Sequence, residues 1–181
     1  MKLSDTTRRA ASEAVGLALF LVSAAAVSQS ATSIEERIAD LEAREAIHSL
    51  VNAYGHALDH RDFRAFAELF AEDRGTWVGG FGSATGRDAI FEMMDEYIGH
   101  SSEPVLPTSH HVFTNTKIDV DGDRAEGSTK WIFVVPSETG DPQWMFLGHY
   151  EDQFIRDGGH WFFLRREAFT DIPGQQQGDT E

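Results

Sequence analysis

From Ile34 onward, apolar residues recur every three or four positions: Ile34, Ile38, Leu41, Ile47, Leu50, Val51, Tyr54 and Leu58. That spacing predicts one amphipathic helix of about seven turns with a single inward face. Ser33-Ile34-Glu35-Glu36 reads as its capping box, in which a hydroxyl and a carboxylate satisfy free backbone amides. The helix is expected to stop near Leu58-Asp59-His60, followed by a shorter one that turns Phe63, Phe66, Leu69 and Phe70 inward. Trp77-Val78 reads as a short strand, Gly79 to Gly82 as a turn, and Arg87 to Ile98 as a third helix burying Ile90, Met93, Met94 and Tyr97.

Beyond Pro104 and Pro107 the period changes. Segments 110–120, 124–135, 144–156 and 160–170 are rich in aromatic and β-branched residues, with hairpin signals at Asp121-Gly122 and Asp157-Gly158-Gly159. Four long strands with short loops predict an antiparallel meander. Helices first and one curved sheet afterwards define an α+β chain. Residues 31–170 form the expected domain, and 171–181 an expected disordered polar tail.

Residues 1–30 are patterned differently. Lys2, Arg8 and Arg9 precede an apolar run from Val15 to Val27, followed by small and polar residues. This order predicts a signal peptide cleaved between Ala26 and Ala31, and a periplasmic or secreted protein, the alternative being a disordered leader on a cytoplasmic one. The run is shorter than the ~20 residues a membrane span needs.

Charge and composition narrow the function. The chain has 181 residues, with 15 Lys+Arg against 30 Asp+Glu, for a net charge of −15. That balance argues against nucleic acid and anionic membrane surfaces, which need clustered cations. Absence of cysteine excludes disulfides, thiolate nucleophiles and zinc ribbons. The eight histidines show no HExxH spacing, and Asp119 to Asp123 lacks the glycine and glutamate positions of a calcium loop, so no metal site is expected. Neither a GxSxG elbow nor a phosphate-binding glycine pattern occurs.

Acid–base chemistry remains. Tyr54 lies on the inner helix face, Asp59 at the helix end, and His110-His111 at the start of a strand, where adjacent rings point to opposite faces. Each residue also has a structural reading: a core tyrosine, an N-cap for the next helix, a satisfied strand histidine.

Tyr54-x4-Asp59 followed by His60-Arg61-Asp62-Phe63 and Leu69-Phe70, with Gly148-His149-Tyr150-Glu151-Asp152 and Asp157-Gly158-Gly159-His160-Trp161 later, resembles SnoaL-like proteins of the nuclear transport factor 2-like superfamily. The resemblance spans about residues 33–170. Relatives of this architecture include scytalone dehydratase, bile acid 7α-dehydratase and lindane dehydrochlorinase. The resemblance implies a cone: a curved antiparallel sheet packed on a long N-terminal helix and two shorter helices, leaving a deep apolar pocket. It further implies that Asp59 and His111 pair as a catalytic dyad, with Asn115 and Thr116 following on the same strand. Tyr54 matches a tyrosine of the bile acid enzyme. That enzyme's second aspartate falls near Val135, so its substrate chemistry does not carry over.

A carboxylate on one imidazole nitrogen fixes the tautomer, so the other nitrogen can take a proton. Tyr54 would donate to a developing oxyanion or leaving oxygen. The expected activity is a cofactor-independent, dehydratase-like lyase acting on a small hydrophobic cyclic hydroxy or keto compound. A non-catalytic ligand-binding or oligomerisation module, and an isomerase, are the alternatives. Trp77, Phe81, Phe113, Trp131, Phe133, Asn115 and His149 are expected around the pocket, and Arg165-Arg166 against acidic surface groups. An open sheet edge and aromatic surface predict a homodimer or homotrimer.

Overall fold

The computed structural model describes residues 33–99 and 109–173. The leader 1–30, His100, Pro104, Pro107 and residues 174–181 lie outside that range. Among the described residues, no helix is long and apolar enough to cross a membrane.

The first helix, α1 (Ile34–Asp59), runs for 26 residues. Ile47, Val51 and Tyr54 are almost completely enclosed, as the period requires, whereas Ile34, Ile38 and Leu41 stand exposed on the first turns. The apolar stripe is therefore longer than the core that covers it. Helix α2 (Phe63–Glu68) follows, N-capped by Asp62, whose carboxylate accepts from the Ala65 amide at 3.0 Å. After β1 (Thr76–Gly79) comes a strand the sequence did not announce, β2 (Gly82–Thr85), where Gly-Ser-Ala-Thr carries almost no apolar signal. Helix α3 (Arg87–Ile98) buries Ile90, Met93 and Met94, but Tyr97 is 58% exposed, against the sequence expectation.

The meander is formed by β3 (His110–Asp121), β4 (Arg124–Pro136), β5 (Pro142–Asp157) and β6 (His160–Ile172). β6 continues through Asp171 and Ile172, so the segment read as the start of a tail is strand. The six strands lie in the order β2-β1-β6-β5-β4-β3, antiparallel except for the parallel β1–β6 pair. Register shifts in the β3–β4, β4–β5 and β5–β6 pairs mark bulges, which bend and twist a sheet. The result is an open, curved sheet whose inner face holds Ile118, Ala125, Trp131, Tyr150, Phe154 and Phe163 in one core with the inward residues of α1, α2 and α3.

One bulge decides which side chains face inward. Between Thr114 and Lys117 the β3–β4 register slips, and Asn115 takes a φ of 52°. Before the bulge, His111 and Phe113 face inward; after it, Thr116, Ile118 and Val120 do. Without the extra residue, one half of β3 would turn its apolar side to solvent.

Candidate active site

Asp59 closes α1, where the unpaired carbonyls and the negative end of the helix dipole disfavour a carboxylate. It is held by the start of β3. The His111 backbone amide donates to both carboxylate oxygens, at 3.1 and 2.9 Å, and the His111 ring meets Oδ1 through Nδ1 at 2.6 Å. The two side chains are only 13% and 12% exposed. Asp62, not Asp59, caps α2. The choice between His110 and His111 is resolved by the strand: His111 faces the interior, and His110 is exposed on the opposite side. Phe133 lies against the imidazole, with centroids 4.7 Å apart. Nε2 of His111 has no hydrogen-bond partner among the described residues.

That ring forms part of the wall of a cavity of about 540 Å³, into which Tyr54, Trp77, Phe81, Trp131 and Phe133 also project. Five of the seven residues expected around the pocket therefore divide as follows: Trp77, Phe81, Trp131 and Phe133 line it, and Phe113 does not. Phe113 packs one layer deeper, against Gly55 of α1, where an added Cβ would come within 2.7 Å of its ring. Of the remaining two, Asn115 is the exposed bulge residue. His149 lies on the outer face, its Nδ1 2.8 Å from Asp171 and its ring stacked on Phe169 at 4.8 Å. Alternation along β5 sends Tyr150 inward and hence His149 outward. Lys130 donates to the other Asp171 oxygen at 3.1 Å. Burial pushes the Asp171 carboxyl up, but the hydrogen bonds from Lys130 and His149 outweigh it and hold the group below the usual carboxylate range.

Tyr54 is enclosed yet contributes to the cavity wall. Trp77 Nε1 donates to its hydroxyl oxygen at 3.0 Å. Burial raises the phenol above its ordinary value, against the opposing pull of Arg166 and the Trp77 hydrogen bond, so Tyr54 remains a protonated donor. Burial raises Tyr150, beside it, well above the ordinary value too.

Beneath both rings lies a pair the sequence reading placed on the surface. Arg166 is 0% exposed and clasps Asp152 through two 2.7 Å hydrogen bonds, while only Arg165 pairs on the exterior, with Glu167. The Arg166 guanidinium lies 4.1 to 4.2 Å from the ring centres of Tyr54, Tyr150 and Phe163. A buried cation faced by three aromatic rings and one bidentate carboxylate fixes the floor of the cavity. Asp152 alternates with Tyr150 and Phe154, which was the available sequence signal. Arg166 reaches the inner face only through the extra residue Leu164 between Phe163 and Arg165, which alternation from Trp161 and Phe163 does not show.

A long helix wrapped by a curved open sheet, with a mostly apolar cavity between them, defines a cone of the nuclear transport factor 2-like fold. The profile of the SnoaL-like domain matches residues 39–167, and the chain belongs to that family. Among solved structures it is similar to a nuclear transport factor 2-like protein with a cystatin-like fold from Novosphingobium aromaticivorans, at 25% identity and a TM-score of 0.67, over 82% of this chain and 95% of the other. A candidate scytalone dehydratase from the same organism matches at 25% identity and a TM-score of 0.62, over 75% and 89%. A hexachlorocyclohexane dehydrochlorinase, LinA type 2, shares the fold at 19% identity and a TM-score of 0.62, over 75% and 89%. No curated protein matches the chain.

Proposed function

We propose that the chain is a dehydratase-like lyase that needs no cofactor and acts on a small hydrophobic cyclic hydroxy or keto compound. The observation that carries this reading is the 2.6 Å contact between Asp59 and His111 Nδ1 at the edge of an apolar cavity. With Nδ1–H donated to the carboxylate, Nε2 of His111 has a lone pair free for a carbon-bound proton of the substrate. The electron pair of that C–H bond forms the new double bond as the neighbouring C–O bond breaks. The imidazolium returns its proton to the departing hydroxyl, which leaves as water. Asp59 stabilises the imidazolium between those events, and Tyr54 donates to the oxygen on which negative charge builds. A solvent-poor cavity strengthens each of these interactions.

The test is water loss from a panel of hydroxylated ring compounds by wild type, Asp59→Asn and His111→Ala. Either substitution is expected to lower turnover by about 10²–10⁴-fold while the melting temperature moves little. Equal turnover in all three would remove the dyad from the mechanism. Binding of ring compounds without turnover in wild type would leave the cavity as a ligand-binding site. The proposed active form is a homodimer or homotrimer joined through the outer sheet face, where Val112, Trp144, Met145 and Phe169 are exposed.

A further inference from the structure

The end of α1 carries an arginine where the backbone calls for glycine. The Asp62 amide donates to the Ala57 carbonyl at 2.9 Å and the Arg61 amide to the Leu58 carbonyl at 3.1 Å, the paired hydrogen bonds of a Schellman C-cap. Arg61 occupies the left-handed position of that motif, with φ at 54°. Glycine holds this conformation without steric cost, whereas a Cβ is crowded there. Arg61 is half-buried in the wall of the cavity, and among the described residues it is the wall's one Arg or Lys. Its guanidinium makes no ion pair, hydrogen bond or ring contact among them.

Acidic residues outnumber basic ones by 30 to 15 in the chain, yet the described wall contains no aspartate or glutamate. Asp59, two residues from Arg61, is taken up by His111. A strained, unpaired guanidinium beside an acid-free, mostly apolar cavity is a recognition group for an anion on an otherwise apolar ligand.

We propose that Arg61 binds a carboxylate of the substrate, so that the natural ligand is a hydrophobic ring compound carrying a carboxylic acid. This rests on the cavity being the substrate site, as in the reading above. Arg61 and His111 both stand in the cavity wall, and Arg61 follows two residues after Asp59, the residue that holds His111. Bidentate contact with the guanidinium would then fix which carbon faces Nε2.

The experiment compares binding of 2-naphthoate and its neutral isostere 2-naphthamide, read by quenching of tryptophan fluorescence, since Trp77 and Trp131 stand in the wall. Wild type is expected to prefer the carboxylate by about tenfold or more, with the preference shrinking as salt rises. Arg61→Gln and Arg61→Gly should each abolish the preference, and Arg61→Lys should retain part of it. Arg61→Gly suits the left-handed backbone, so it should melt no lower than wild type, which separates lost recognition from lost folding. No preference in wild type, or a preference unchanged in Arg61→Gly, would overturn the proposal and leave Arg61 as a helix C-cap. Because the readout is binding, it is independent of the dyad. Asp59→Asn should keep the carboxylate preference even though turnover is lost, so failure of one reading is distinguishable from failure of the other.

Discussion

At the last position of α1, a carboxylate meets the negative end of the helix dipole, an arrangement that costs about 0.3–1 kcal/mol unless compensated. Here the compensation comes from across the fold, through the His111 amide and ring. Asp59→Asn therefore removes an awkward charge as well as a partner, and should leave stability nearly unchanged. Nitrogen-15 NMR should find the His111 ring held in one tautomer, protonated at Nδ1, in wild type, and in a mixture in Asp59→Asn. A single tautomer in both would mean that the carboxylate does not orient the ring. Tyr54 behaves differently, because Tyr54→Phe leaves Trp77 Nε1 without its acceptor. That substitution should cost about 1–3 kcal/mol in denaturant unfolding besides slowing turnover. Asp152→Ala should be more damaging, about 3–5 kcal/mol, since it strands the enclosed Arg166 cation.

On the scale of elements, the chain's periods foretold the helices and the four long strands, because burial on one face is written directly into residue type. They also placed Asp59 at a helix end and His111 at a strand start, but that the two meet was implied only by the resemblance to SnoaL-like proteins. What periodicity could not carry was the irregularity. Asn115 sits in a strand of good β-formers, and nothing in Thr114-Asn115-Thr116 says which residue is extra, so the sequence put it in the pocket. Phe113 before the bulge and Ile118 after it both read as inward, which satisfies simple alternation only if one residue is skipped. His149 was misplaced for a related reason, since its identity suggested chemistry while alternation from Tyr150 pointed it outward. β2 escaped notice because edge strands need little apolar content. Deleting Asn115 should therefore be far worse than replacing it: one half of β3 would invert, sending either His111 or Ile118 to solvent. The deletion variant should lose cooperative thermal unfolding, whereas Asn115→Gly, which keeps the count and suits the positive φ, should melt near wild type.

For the whole molecule, the inner face of the sheet is committed to α1 and the cavity, and the outer face remains. Phe133 and Phe146 pair facing inward, so Val134 and Trp144, paired beyond the bulge, face outward. Trp144 is 66% exposed and Val112 48% exposed on that side. Solvating this apolar end of the outer face is unfavourable, at about 25 cal/mol per Å², and association would bury it, while Lys117, Asp119, Glu126, Glu151, Arg165 and Glu167 occupy the rest of that face. The paired Lys130, His149 and Asp171 lie on the same face, their charges already matched within one chain. Asp171 is lowered below its ordinary carboxylate value in the folded chain, so its contribution is present above the unfolded value of about 3.8 and is lost as pH falls through the folded one. Light scattering on the purified chain should find a dimer or trimer, and Trp144→Glu should shift it toward monomer without lowering the binding of cavity ligands. Asp171→Asn should flatten the loss of thermal stability as pH falls below ~4, because the carboxylate that stops matching Lys130 and His149 there is already neutral. A wild-type chain that stays monomeric at high concentration would show that the outer face tolerates water, and would detach assembly from the activity of the cone.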